Sequence, residues 1–160
     1  MPRLVVVLPL EPLRTGDSFA VPDWPLHVTV VPPFKTDFTP VDVAAAITSA
    51  ASSLTALTAI AGEDEMFGRG DDVPVTVVTA NEELSGLHRR LVDALRPLAA
   101  SPEEPTFTGR GFRAHVTMKQ NRRVHEGDTL LLRQIALVDM APRSDSAGRS
   151  VLATFALGQA

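Results

Sequence analysis

With 160 residues, 44% of them hydrophobic, the chain is long enough to bury one substantial core, and no low-complexity linker divides it. A formal charge of −4 argues against the broad basic face needed to wrap duplex nucleic acid, and the lack of cysteine excludes disulfides and thiolate metal sites. The opening apolar run, Leu4 to Leu10, is too short to span a membrane and, broken by Pro9 and followed by Glu11, is unlike a signal peptide, so a cytoplasmic protein without a membrane partner is the default expectation.

In chain order, Leu4-Val5-Val6-Val7-Leu8 reads as a buried strand closed by Pro9, and Leu26 to Val31 as a second, stopped by Pro32-Pro33 because proline cannot donate to a ladder. Thr39-Pro40-Val41-Asp42 is a helix start, with Thr39 as cap and an Ala-rich stretch following to about Ser53. Leu54 to Ala61 is expected as a strand ending at Gly62, and Val73 to Val78 as another beyond a loop through Gly68 and Gly70. Asn81 caps a second helix whose buried stripe is Leu84, Leu87, Leu91, Leu95 and Leu98. Pro102 and Pro105 end that region. Arg113 to Lys119, Leu130 to Met140 and Val151 to Leu157 complete the strands, the last two joined by the turn-rich stretch from Pro142 to Gly148.

The tetrapeptide His27-Val28-Thr29-Val30 recurs as His115-Val116-Thr117-Met118, 88 positions later, in a chain with only 4 histidines. A separation of about half the chain points to an internal duplication, and to two similar lobes within one domain, about 1–80 and 81–160. On a strand, side chains alternate faces, so His27 and Thr29 share one face while Val28 and Val30 anchor the other, and the second copy repeats this. Two such polar faces meeting across a cleft would gather two imidazoles and two hydroxyls in one volume.

That inventory suits phosphodiester chemistry. A nucleophile must lose a proton and a leaving oxygen must gain one, and imidazole can do either near neutral pH. Threonine hydroxyls can hold the non-bridging phosphate oxygens as charge builds on them. The scheme calls for no metal or other cofactor, and no His-x-x-x-His or carboxylate spacing supports a zinc site. A lone histidine is more often structural than catalytic, and threonine favours strands anyway. The repeated offset of the two is what lifts the functional reading above the bland one.

The paired His-Val-Thr-Val and His-Val-Thr-Met, their separation and the order of elements resemble the two-histidine (2H) phosphoesterase superfamily, particularly the bacterial LigT-like proteins called 2′-5′ RNA ligases or RNA 2′,3′-cyclic phosphodiesterases. The resemblance covers nearly the whole chain, and both copies satisfy the pattern His-x-Thr/Ser-x with an apolar last position. It implies an α+β fold of two pseudo-twofold lobes, each an antiparallel sheet with helices outside, facing across a central cleft. It also implies that His27, Thr29, His115 and Thr117 are catalytic. The implied reaction is hydrolysis of a 2′,3′-cyclic phosphate on RNA ends or nucleotides, usually to the 2′-phosphomonoester, with ligation as its reverse. The segment Val31-Pro32-Pro33-Phe34 resembles a subset of small bacterial members, and tyrosine is absent throughout.

Around the motifs, Arg113 shares a strand face with His115, and Lys119 with Thr117, which makes both candidates for phosphate binding. They belong to a basic stretch between Glu104 and Glu126 that also holds Arg110, Arg122 and Arg123. Base-stacking rings would come from Trp24, Phe34, Phe67, Phe107 or Phe112, although a single tryptophan is more often a core or rim residue. His88, beside Arg89 and Arg90, and His125 read as surface or turn residues without a role. The expected partner is an RNA terminus or a small nucleotide bound by a monomer. The competing readings are a non-catalytic module of the same fold that senses a nucleotide or RNA end, and an enzyme acting on a non-nucleotide phosphodiester.

Overall fold

Every ladder between strands in the computed structural model is antiparallel, and two helices lie on one side of the sheet. The structure describes residues 2–68, 70–99, 101–102, 112–140 and 148–158. The strands are β1 (Arg3–Pro9), β2 (Ser18–Ala20), β3 (His27–Lys35), β4 (Leu57–Phe67), β5 (Val73–Val78), β6 (Ser101–Pro102), β7 (His115–Thr117), β8 (Thr129–Leu132), β9 (Gln134–Asp139) and β10 (Gly148–Ala156). The helices are α1 (Pro40–Ala51) and α2 (Glu82–Leu95). The sheet runs β2-β10-β9-β1-β3-β7-β5-β4-β8, with β6 also on β3, and the fold is α+β as expected.

The motif strands β3 and β7 form the seam between two arms of this sheet, and they pair at Val28 and Val116, the centres of the two motifs. One arm is β2, β10, β9, β1 and β3, and the other is β7, β5, β4 and β8. Each arm therefore draws strands from both ends of the chain, and the arms are not the sequence halves 1–80 and 81–160.

Strand β1 is apolar from Leu4 to Pro9 because both of its faces are covered there. Leu4, Val6 and Leu8 join the larger core beneath the helices, with Val28, Val30, Val43, Ile47 and the α2 leucines 84, 87, 91 and 95. Val5 and Val7 point the other way, into a smaller cluster with Trp24, Ala136, Val138 and Val151. Both helix caps form as the sequence dictates. Thr39 Oγ1 accepts from the Asp42 amide at 3.2 Å, and Asn81 Oδ1 from the Leu84 amide at 3.0 Å.

Strand β7 is shorter than the expected Arg113 to Lys119, β4 begins at Leu57 and β10 at Gly148, and three further differences have identifiable reasons. Strand β3 continues through Pro32-Pro33, because Leu4 faces Phe34 and Val6 faces Val31, so that Pro32 and Pro33 together oppose Val5 in a bulge where no ladder bond is required of them. Strand β4 likewise passes Gly62, with Gly62 and Glu63 opposing Val77 between the Ala61–Val78 and Asp64–Thr76 pairs. A Cβ on Gly62 would lie 3.0 Å from the Val77 carbonyl oxygen, so glycine here serves a close approach and ends nothing. The run from Leu130 to Met140 divides at Arg133, since β8 pairs with β4 in one arm and β9 with β1 and β10 in the other. The turn expected from Pro142 falls at 141–147, outside the described residues. Among the described residues no helix is long and apolar enough to cross a membrane.

Candidate active site

The antiparallel register at the seam fixes the site. With Val28 opposite Val116, one step to either side sets His27 across from Thr117 and Thr29 across from His115. Val28 and Val116 belong to the core beneath the helices, so the four polar side chains occupy the opposite face of the sheet. The doubled motif thus builds a compact block in which each histidine has the other motif's threonine as its cross-strand neighbour.

Both imidazoles are tethered the same way. His27 Nδ1 donates to the carbonyl of Pro25 at 2.8 Å, and His115 Nδ1 to the carbonyl of Arg113 at 2.8 Å, in each case two residues upstream. A carbonyl only accepts, so Nδ1 carries hydrogen in both rings and Nε2 is the atom left for chemistry. Neither Nε2 nor either threonine hydroxyl has a hydrogen-bond partner among the described residues.

Burial pushes His27 down from 6.5 to about 4, against the opposing pull of its Pro25 bond, and the charges of Lys119, His115 and Arg149 lower it further. His115 is also held below the ordinary histidine value, chiefly by burial and then by the Arg113 charge, while its bond to the Arg113 carbonyl works the other way. An anion lodged between the rings would raise both.

Each histidine is backed by an aromatic ring. Trp24 stacks on His27 at 4.1 Å between centroids, and the edge contact between Phe67 and His115 is 4.6 Å. Trp24 is 7% exposed and belongs to the smaller core, so it supports the imidazole and presents no face to a base, contrary to one sequence expectation. Phe34 is also removed from the substrate-binding set, because it is buried beneath the helices. Arg113 is engaged rather than open: its guanidinium donates to Glu65 at 2.6 Å and lies 5.1 Å from the centre of the Phe67 ring. Lys119 donates to the Val21 carbonyl at 3.2 Å and stands 5.9 Å from the Trp24 ring centre, close to His27. Phe107 and Arg110 lie outside the described residues.

His88 is not the surface residue that its arginine neighbours suggested. It is 1% exposed, its Nδ1 donates to the Val30 carbonyl at 2.7 Å, and its ring stacks flat on Phe112 at 3.9 Å. His125 does occupy a turn, its amide bonded to Asp128 at 2.8 Å. Among the described residues no three histidine, aspartate or glutamate side chains gather as a metal site would need.

The sequence reading missed Pro25, Glu65 and Arg149. Pro25 acts through a backbone carbonyl that any residue could supply, and the other two are brought in by sheet pairing alone. A cavity of about 300 Å³ opens beside Thr29 and His115, walled by Pro32, Pro33, Phe67 and Phe112 and lined as well by Arg3 and Arg113. A larger recess of about 740 Å³ runs along β5 and the start of α2, but it contains none of the motif residues, so we assign the chemistry to the former.

A family model, the 2′-5′ RNA ligase superfamily, matches residues 3–136. Among solved structures, TT0787 of Thermus thermophilus is similar at a TM-score of 0.64 with 18% identity, covering 98% of each chain. Escherichia coli LigT complexed with 3′-AMP is similar at a TM-score of 0.59 with 16% identity, covering 99% of each chain. No curated protein matches the sequence.

Proposed function

Since the chain belongs to the 2′-5′ RNA ligase superfamily, we propose that it is a paired-histidine phosphodiesterase that opens 2′,3′-cyclic phosphates at RNA ends or on nucleotides. The observation that carries this reading is the seam itself: two imidazoles, each tethered through Nδ1 to the carbonyl two residues upstream and each facing the other motif's threonine.

His27, the more strongly desolvated ring, is neutral at working pH and serves as the base. Its Nε2 takes a proton from water as the water oxygen attacks phosphorus. His115 protonates the departing 3′-oxygen through its own Nε2, and the product is a 2′-phosphomonoester. Thr29 and Thr117 donate to the non-bridging oxygens while phosphorus is five-coordinate. An RNA 5′-hydroxyl replacing water would give a 2′-5′ phosphodiester by the same proton transfers, which is the ligation reaction. E. coli LigT has been crystallised with 3′-AMP, with ATP and with NADP+, which supports a nucleotide as the class of ligand. The proline and aromatic walls of the cavity beside His115 suit the nucleoside portion, with Arg3 and Arg113 also lining it.

The test is incubation in EDTA with the four nucleoside 2′,3′-cyclic phosphates and a short RNA ending in one, resolving 2′- from 3′-phosphate products. Turnover to the 2′-phosphate that drops at least about 100-fold in His27→Ala and in His115→Ala, with thermal melts unchanged in kind, is the expected result. No turnover on any of these substrates, or activity retained in either variant, would overturn it.

A further inference from the structure

The two histidines share their backbone tether but not their charged surroundings. Beside His115, the Arg113 guanidinium is already neutralised by Glu65 at 2.6 Å. Beside His27 the situation is reversed. Lys119 Nζ and Arg149 Cζ stand 5.9 and 5.2 Å from the centre of the Trp24 indole, the ring on which His27 stacks. Neither forms an ion pair with a carboxylate among the described residues.

Both cations are held in place by carbonyls. Lys119 donates to Val21, while Arg149 donates from Nη1 to Met140 at 2.7 Å and to Gly148 at 2.9 Å. Among the described residues the buried Nε of Arg149 has no hydrogen-bond partner. Burial and the nearby charge of Arg3 disfavour the Arg149 cation, and the attraction of Asp139 opposes them. Two partly buried cations that meet no carboxylate partner among the described residues are a costly arrangement.

We propose that Arg149 and Lys119 form a second anion subsite beside His27, which takes a phosphoryl group other than the one held between the histidines. The inference rests on the cyclic phosphodiesterase reading and narrows its substrate to nucleotides that carry a second phosphate. It also breaks the near-symmetry of the doubled motif, because the extra anion lies toward His27. A 5′-phosphate on a mononucleotide and the phosphodiester joining a terminal nucleotide to upstream RNA present the same chemistry to this subsite.

Calorimetric titration of the intact protein with 2′-AMP, with adenosine 2′,5′-bisphosphate and with an ApA dinucleotide carrying a terminal 2′-phosphate separates these cases. A charge-assisted contact at the second phosphate predicts at least about 10-fold tighter binding of the bisphosphate than of 2′-AMP. That ratio should fall toward one in Arg149→Gln and in Lys119→Gln, remain partly in Arg149→Lys, and persist in Arg96→Gln, a surface control on α2. A dinucleotide that matches the bisphosphate assigns the subsite to the RNA linkage, and one that matches 2′-AMP assigns it to a free 5′-phosphate. Equal binding of 2′-AMP and the bisphosphate to the unaltered protein overturns the subsite and leaves the phosphodiesterase reading standing. Failure of all three compounds to bind removes both. If Arg149→Gln does not fold, the ratio in the unaltered protein and in Lys119→Gln still decides.

Discussion

The indole of Trp24 lies against the imidazole of His27, with centroids 4.1 Å apart and planes inclined by 27°. Trp24 is the only tryptophan and the chain has no tyrosine, so its fluorescence reports on this one contact. A protonated imidazole in contact with an indole quenches it. Because His27 is lowered to about 4, emission should stay constant as pH falls through 6.5 and drop with a midpoint about 4. The step should vanish in His27→Gln. A midpoint near 6.5 would mean that His27 is solvated and that the stack is open.

On the proposed reaction, the same displacement sets the pH dependence. In kcat/KM, which reflects the free enzyme, the acid limb belongs to the base and the alkaline limb to the acid. With His27 at about 4 and His115 below 6.5, activity should rise through about pH 4 and decline before pH 6.5, an acidic optimum. Bound phosphate favours both imidazolium forms, so the limbs of kcat should lie at higher pH than those of kcat/KM. Full pH profiles on a nucleoside 2′,3′-cyclic phosphate test this. An alkaline limb of kcat/KM well above 6.5 would contradict the buried state of His115.

The geometry of the candidate site was legible because it is written in period two on two strands, and the pattern carries its own face assignment. Trp24 was harder, since nothing in the order Trp24-Pro25-Leu26-His27 distinguishes a ring that supports an imidazole from one that stacks on a base. Arg149 was invisible, because it reaches His27 only through the adjacency of β10, β9, β1 and β3. The same non-local pairing hid the exchange of strands between the arms. The apolar run through Arg133 has no local mark of where it leaves one arm for the other. Proline and glycine misled in the same way. Each is a reliable punctuator only when its partner strand is regular, and at Pro32-Pro33 and Gly62 the partner is met through a bulge.

At Gly62 a methyl group would meet the Val77 carbonyl oxygen at 3.0 Å and the Thr79 side chain at 3.3 Å. The first of these is backbone and cannot rotate away. Gly62→Ala should therefore destabilise the protein by about 1–3 kcal/mol, the usual cost of overpacking, despite the better intrinsic fit of alanine to regular structure. Urea unfolding measures it. Unchanged stability would show that β4 and β5 can part at the bulge without loss.

His88 ties the first motif strand to the approach of the second. It bonds the Val30 carbonyl, one residue past Thr29, and stacks on Phe112, three residues before His115. Val30 lies where β3 has left its pairing with β7 at Val28 and not yet met β6 at Phe34, so its carbonyl relies on a side chain from α2. His88→Ala leaves that acceptor buried without this donor and should lower the unfolding free energy by about 1–3 kcal/mol. The loss should also reach the site, because the Arg113 carbonyl that orients His115 follows Phe112 directly. On the proposed reaction kcat should fall, and KM should rise with it, because the Phe112 ring that His88 supports walls the cavity assigned to the nucleoside. A variant that is destabilised but retains full kcat would confine His88 to holding α2 against the sheet.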